Sequence, residues 1–118
     1  MFDNTAEGIP AMTPEHVHDY LAKIGSEWTG QGLAVELGSW FGATAFYLLQ
    51  GLVSAGYDKP FYCYDRWKAS REEVIKARDA GIEIRKGENL LPFCIKNINQ
   101  IYHHVVAYRG NITDTLHW

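Results

Sequence analysis

The residues best suited to chemistry lie in two short stretches. The first, VELGSWFGATAF, covers residues 35–46, and the second, FYCYDRW, covers residues 61–67. In the first, Glu36, Gly38 and Gly42 are spaced acid-x-Gly-x-x-x-Gly, with Ser39 directly after the first glycine. Glycine loses more chain freedom on folding than any other residue. Two glycines so close together therefore imply a tight bend, or a ligand lying against uncovered backbone. Glu36 stands where the dinucleotide fingerprint G-x-G-x-x-G has its first glycine. A carboxylate there repels a pyrophosphate but accepts a cationic ammonium or sulfonium. In the second stretch Asp65 closes an apolar run, and Trp67 follows two residues later. A carboxylate at the end of a strand can accept both hydroxyls of a ribose, and an indole can offer an adenine a flat wall. Together these features favour S-adenosylmethionine over a nicotinamide cofactor.

Each residue also has a purely structural reading. Gly38 and Gly42 serve tight strand-to-helix packing, Asp65 caps a turn, and Trp40, Phe41 and Trp67 are buried in the core. The other reactive side chains organise less. His16 and His18 are two apart on a helix and share no face. His103 and His104 are adjacent, and no histidine comes with the acids or cysteines of a metal site, so no metal is expected. Cys63 and Cys94 read as reduced core residues. No nucleophile, base and orienting acid group together, so no catalytic residue is assigned.

Composition bounds the partners. With 118 residues, 47% of them hydrophobic, and a net charge of -3, the chain is one small globular domain without the basic excess that nucleic acid requires. No apolar run is long enough to span a bilayer. The N-terminal MFDNTAEGIPAM lacks a secretory pattern, so a cytoplasmic location is expected.

The elements that must position these residues alternate. Thr13 and Pro14 form a helix start, with the Thr13 hydroxyl as cap, and Val17, Tyr20, Leu21, Ile24 and Trp28 make an apolar stripe. Residues 33–37, between glycines, fit a strand buried on both faces. Residues 42–55 are helical and apolar nearly all round, which predicts cover on more than one side. Residues 61–64 read as a strand. Ser70 and Glu73 form a capping box for a helix ending before Gly81. Residues 82–84 alternate Ile82 and Ile84 with charge, as in an exposed extended segment or irregular loop. A helix over 90–102 carries Leu91, Cys94, Ile95, Ile98, Ile101 and Tyr102 on one side, and residues 105–108 form a further strand ended by Arg109. Thr113 is a candidate cap. Strands alternating with helices imply a parallel α/β sheet with right-handed crossovers.

With Glu36, Gly38 and Gly42 in the first motif, and Asp65 and Trp67 in the second, the chain resembles the class I S-adenosylmethionine-dependent methyltransferases. It is similar in particular to the branch of macrocin O-methyltransferase and related small-molecule or sugar methyltransferases. The resemblance covers residues 33–116 and extends through NINQIYHHVVAYRGNITDTL (residues 97–116). It implies an S-adenosylmethionine cofactor, with Glu36, Gly38, Ser39 and Gly42 holding the methionine end, Asp65 the ribose and Trp67 the adenine side. Asn111 and Ile112 are weaker adenine contacts. The methyl acceptor would be a small molecule or sugar.

The fold class expected is a Rossmann-like parallel sheet with flanking helices and about three strands. That is the first half of a class I methyltransferase, so the resemblance implies a chain truncated to that half. Residues 1–118 form a single domain, in which residues 1–32 are a helical segment packing on the sheet and residues 33–118 a partial cofactor-binding unit. The first strand then sits at an apolar edge, where two copies are expected to pair with two-fold symmetry along residues 33–37. Three function classes stay open: a methyltransferase-like enzyme, a non-catalytic oligomeric remnant serving assembly, and a nucleotide-binding oxidoreductase.

Overall fold

Two helices of the chain touch backbone to backbone, and glycine permits it. A computed structural model describes residues 5–6 and 8–112. Helix α1 (Glu15–Ser26) lies against α2 (Ala43–Ser54). A Cβ at Gly25 would come within 2.3 Å of the Leu48 carbonyl oxygen, and one at Gly51 within 1.9 Å of the Ala22 carbonyl oxygen. The buried residues of α1 are His18 and Gly25, and the backbones approach closest at Ala22 and Gly25. Tyr20 and Ile24, members of the expected apolar stripe, are exposed. Val17, Leu21 and Trp28 of the same stripe are half-buried, Trp28 against the core, so the stripe is covered along one side only while the close helix crossing takes the glycine.

Residues 1–32 differ from expectation in three more ways. A two-residue hairpin, β1 (Thr5–Ala6) antiparallel to β2 (Ile9–Pro10), precedes α1, and α1 is seated on α2 rather than directly on the sheet. Pro14, not Thr13, is the N-cap of α1. The Thr13 hydroxyl is instead 2.6 Å from His18 Nε2. His18 also stacks on Tyr47 at 4.7 Å, and its burial pushes its pKa below the ordinary 6.5.

The domain is α/β, with a Rossmann-like parallel sheet of three strands: β3 (Ala34–Leu37), β4 (Phe61–Asp65) and β5 (Val105–Arg109), in the order β3-β4-β5. The register aligns Ala34 with Phe61 and Val105, and Glu36 with Cys63 and Ala107. These residues face the helices, and Phe61 and Cys63 are fully buried. Burial pushes the Cys63 thiol up to about 12 and also raises that of Cys94, so both are inert core thiols.

The neighbouring positions correct the reading of residues 33–37 as a doubly buried strand. Leu33, Val35 and Leu37 are 56%, 51% and 54% exposed. Both crossovers step the same way across the sheet. Right-handed connections that step one way put their helices on one face, and α2 and α4 (Leu91–Ile98) do pack together there. The opposite face, carrying Leu33, Val35, Leu37, Tyr64 and Tyr108, is left without a helix among the described residues. On it Tyr64 and Tyr108 stack at 4.9 Å.

Between the strands, helix α3 (Arg71–Asp79) begins with the expected capping box. The Ser70 hydroxyl accepts from the Glu73 N–H, and the Glu73 carboxylate accepts from the Ser70 N–H at 2.9 Å. Residues 82–89 are irregular, and Ile84 is buried rather than exposed. Helix α4 is shorter than residues 90–102; of its expected face Cys94 and Ile98 are buried, and Leu91, Ile95, Ile101 and Tyr102 are half-buried.

Candidate functional site

The turn after β3 holds three left-handed residues, Gly38, Trp40 and Gly42, and is tied to a carboxylate from the next strand. Gly38 has φ +85°, and a Cβ there would meet nothing within 4 Å, so this backbone is uncovered. Its N–H donates to the Tyr64 carbonyl, which holds the turn against the end of β4. Trp40 and Trp67 have φ of 48° and 44°, conformations that side-chain-bearing residues seldom hold without support. Asp65 supplies that support. Its Oδ2 accepts from the Trp40 N–H and its Oδ1 from the Trp67 N–H, both at 2.8 Å. The Trp67 indole N–H then donates to the Trp40 carbonyl at 2.8 Å.

Asp65 and Gly38 share one crevice. A cavity of about 390 Å³ at the carboxyl ends of the three strands is lined by Gly38, Asp65, Arg66, Gly110, Asn111 and Ile112. Each carboxylate oxygen of Asp65 has a second lone pair beyond its N–H partner, so the group can still accept from a ligand. This is the position at which open parallel sheets receive ligands, and the volume lies within the range of small-molecule sites.

A smaller cavity of about 120 Å³ lies across the same glycine, lined by residues 10–13, Gly38, Ser39, Trp40, Ala43 and Thr44. Three buried polar atoms at this turn lack a hydrogen-bond partner: Glu36 Oε1, Ser39 Oγ and Trp40 Nε1. The other Glu36 oxygen accepts from the Thr44 hydroxyl at 2.7 Å. Burial pushes the Glu36 carboxyl above its ordinary 4.5. The nearby Ser39 and Thr44 hydroxyls oppose this, and the charge of Asp65 adds a smaller push upward. Unpaired buried polar groups are costly and call for an explanation. Ser39 and Trp40 line the smaller cavity, and Glu36 lies close enough to the Ser39 hydroxyl for that hydroxyl to lower its pKa, so the polar groups of the turn gather at one side of Gly38.

No family model matches the chain, and comparison with curated proteins and with solved structures likewise finds no similar protein.

The geometry separates the residues singled out from the sequence. Gly38, Ser39 and Asp65 line the cavities at the turn, and Asn111 and Ile112 line the larger one. Glu36 lines neither cavity; its carboxylate accepts from Thr44, which lines the smaller one. Two leave the site. Gly42 lines neither cavity: its N–H donates to the Ser39 carbonyl, and a Cβ there would lie 3.1 Å from Ile98 and 3.3 Å from Cys94. Its role is close approach to α4. Trp67 is 1% exposed, so its ring offers no wall to an adenine. Its indole instead ties the two loops together. Phe41 is also core, stacked edge-on with Phe93 at 5.4 Å, while half-buried Trp40 lines the smaller cavity. Thr113 lies outside the described residues.

Pro10, Ala11, Met12, Thr13, Thr44, Arg66 and Gly110 also line the cavities, although sequence reasoning did not select them. Thr44 had a legible signal, a hydroxyl in the first turn of α2, and Arg66 adjoins Asp65. The N-terminal residues had none, because only tertiary packing brings them to the turn. Among the described residues no group of three or more histidines, cysteines or acids could hold a metal, and no helix is long and apolar enough to cross a membrane.

Proposed function

We propose that the crevice between the β3 turn and Asp65 binds a cationic adenosyl compound, S-adenosylmethionine. On this reading the chain is the cofactor-binding part of a methyltransferase acting on a small molecule or sugar. One observation carries the proposal. Uncovered backbone at Gly38 and the Asp65 carboxylate line one cavity, and the same turn buries an unpaired Glu36 oxygen.

The residues fit the group in kind. Glu36 would take the ammonium, the unpaired Trp40 indole N–H and Ser39 hydroxyl would serve the carboxylate, and Asp65 would accept from the ribose. Asn111 and Ile112 would flank the base. When bound, the sulfonium supplies an electrophilic methyl group to an acceptor oxygen or nitrogen. The chain's own contribution is alignment, which can supply much of a transfer rate. No side chain here stands out as a base for the acceptor.

Titration calorimetry with S-adenosylhomocysteine and, separately, NAD tests this reading. The expected result is saturable binding of the adenosyl compound, weakened at least 10-fold in Gly38→Ala, where a side chain is placed in uncovered space at positive φ. Preferential binding of NAD would replace the proposal with a nucleotide-binding oxidoreductase. Absence of binding to either, by a folded chain, would leave the assembly reading, which the open outer side of β3 favours.

A further inference from the structure

The outer side of β3 is complementary to itself. Among the described residues no strand pairs there, since β3 ends the order β3-β4-β5. Two hydrogen bonds fix which residues face outward. The Ala34 N–H donates inward to the Tyr57 hydroxyl and the Gly38 N–H inward to the Tyr64 carbonyl. In a parallel pair every second residue turns both backbone groups to its neighbour. Leu33, Val35 and Leu37 therefore point theirs away from β4. Their side chains are the exposed ones on the helix-free face. The edge carries none of the usual deterrents to pairing, having no lysine, proline or bulge between residues 33 and 37.

We propose that a second copy of this chain pairs antiparallel with β3 about a two-fold axis at Val35, making a continuous six-stranded sheet. This holds whether or not the crevice binds an adenosyl compound. With the axis at Val35, the outward backbone groups of Leu33, Val35 and Leu37 meet those of Leu37, Val35 and Leu33 of the partner subunit. The apolar side chains then form three cross-strand pairs on one face. Glu36 falls opposite Ala34 of the partner subunit, so the two buried carboxylates do not face each other. Gly32 and Gly38 fall opposite one another at both ends of the ladder. Both have open space where a Cβ would be, so no side chain blocks closure. Moving the axis to Glu36 would still pair the outward backbone groups of Val35 and Leu37 with those of Leu37 and Val35 of the partner subunit, but it would set the two Glu36 side chains directly opposite each other, a like-charge pair that disfavours this register.

The contact is small. A five-residue ladder is about 17 Å long, well short of the roughly 800 Å² per partner of a standard stable interface. The dimer is accordingly weak and dissociates on dilution.

Sedimentation equilibrium of the full chain from about 5 to 500 µM, with hydrogen exchange at both ends of that range, tests the assignment. The expected result is a monomer–dimer equilibrium in which the Val35 and Leu37 amides exchange freely when dilute and are protected when concentrated. Val35→Lys, which opposes two cations at the axis, and Val35→Pro, which removes an outward N–H and fixes φ at an edge position where proline is tolerated, should each weaken association at least 10-fold. Circular dichroism shows that each variant remains folded. Should one not fold, the other carries the test, together with thiol cross-linking. Because Cys63 and Cys94 are buried, Val35→Cys should link through a short bifunctional reagent, whereas Leu33→Cys, offset from its own copy by about 13 Å, should not. A monomer at every concentration overturns the proposal, as does a dimer indifferent to both Val35 substitutions. So does protection of these amides in the monomer, which would mean that the chain covers its own edge.

Discussion

The Trp40 N–H donates to Asp65 Oδ2 at 2.8 Å, joining the turn after β3 to the end of the neighbouring strand. The same carboxylate takes the Trp67 N–H on its other oxygen, and the Trp67 indole returns to the Trp40 carbonyl. Asp65 is thus a strut of the crevice as well as part of its wall. The structural reading of this residue and the ligand reading are both satisfied by one carboxylate, because each oxygen has capacity for more than one donor.

Removing that strut should be costly. Asp65→Ala leaves two backbone N–H groups without their charged acceptor and frees two residues held at positive φ. Hydrogen bonds to charged groups contribute about 1.5–3 kcal/mol each, so the loss of two predicts a destabilisation of about 3–6 kcal/mol in urea unfolding. Tryptophan emission should also shift to the red as Trp67 loosens. A loss under about 0.5 kcal/mol would show that the clamp does not support the turn.

Glu36 should behave in the opposite sense. Its folded pKa is raised by burial, so the fold favours the neutral acid. Stability from this group is full below the ordinary value of 4.5 and is lost as pH rises through the folded value. Glu36→Gln keeps the shape and an acceptor for Thr44. It should therefore be more stable than the parent at pH 7, with the advantage growing as pH rises from 4.5 and levelling off above the folded pKa. Thermal melts across pH 4–8 measure this. A parent that stays the more stable of the two at pH 7 would contradict it. A cationic ligand relieves the same penalty, so its binding should strengthen with pH through this window and weaken in the variant.

The crossing of α1 and α2 should reject a single methyl group. Alanine normally improves a helix over glycine by about 1 kcal/mol. At Gly51 its Cβ would meet the Ala22 carbonyl oxygen at 1.9 Å, and at Gly25 the Leu48 carbonyl oxygen at 2.3 Å. Overpacking of this kind costs about 1–3 kcal/mol or more. Gly25→Ala and Gly51→Ala should each destabilise the chain by about 2 kcal/mol in denaturant titrations. Stabilisation by either would mean that the helices do not touch at these backbones.

Local signals in the sequence determined much of this molecule. The alternation of apolar runs with helical periodicity specified a parallel α/β sheet of three strands with β3 at its edge. Ser70 and Glu73 specified the start of α3, since a capping box needs only residues three apart. The spacing of Glu36, Gly38 and Asp65 located the crevice, because successive parallel strands bring their carboxyl ends together. Tertiary structure alone decided the rest, because it depends on which surfaces approach and how closely. It buried His18 and Gly25 of α1 most deeply and left Tyr20 and Ile24 of the apolar stripe exposed, turned Gly42 toward α4, and enclosed Trp67. It brought residues 10–13 to the turn and, among the described residues, left one face of the sheet without a helix. Residue type records the preference of a side chain for water or oil, whereas these outcomes follow from steric fit between segments distant in the chain.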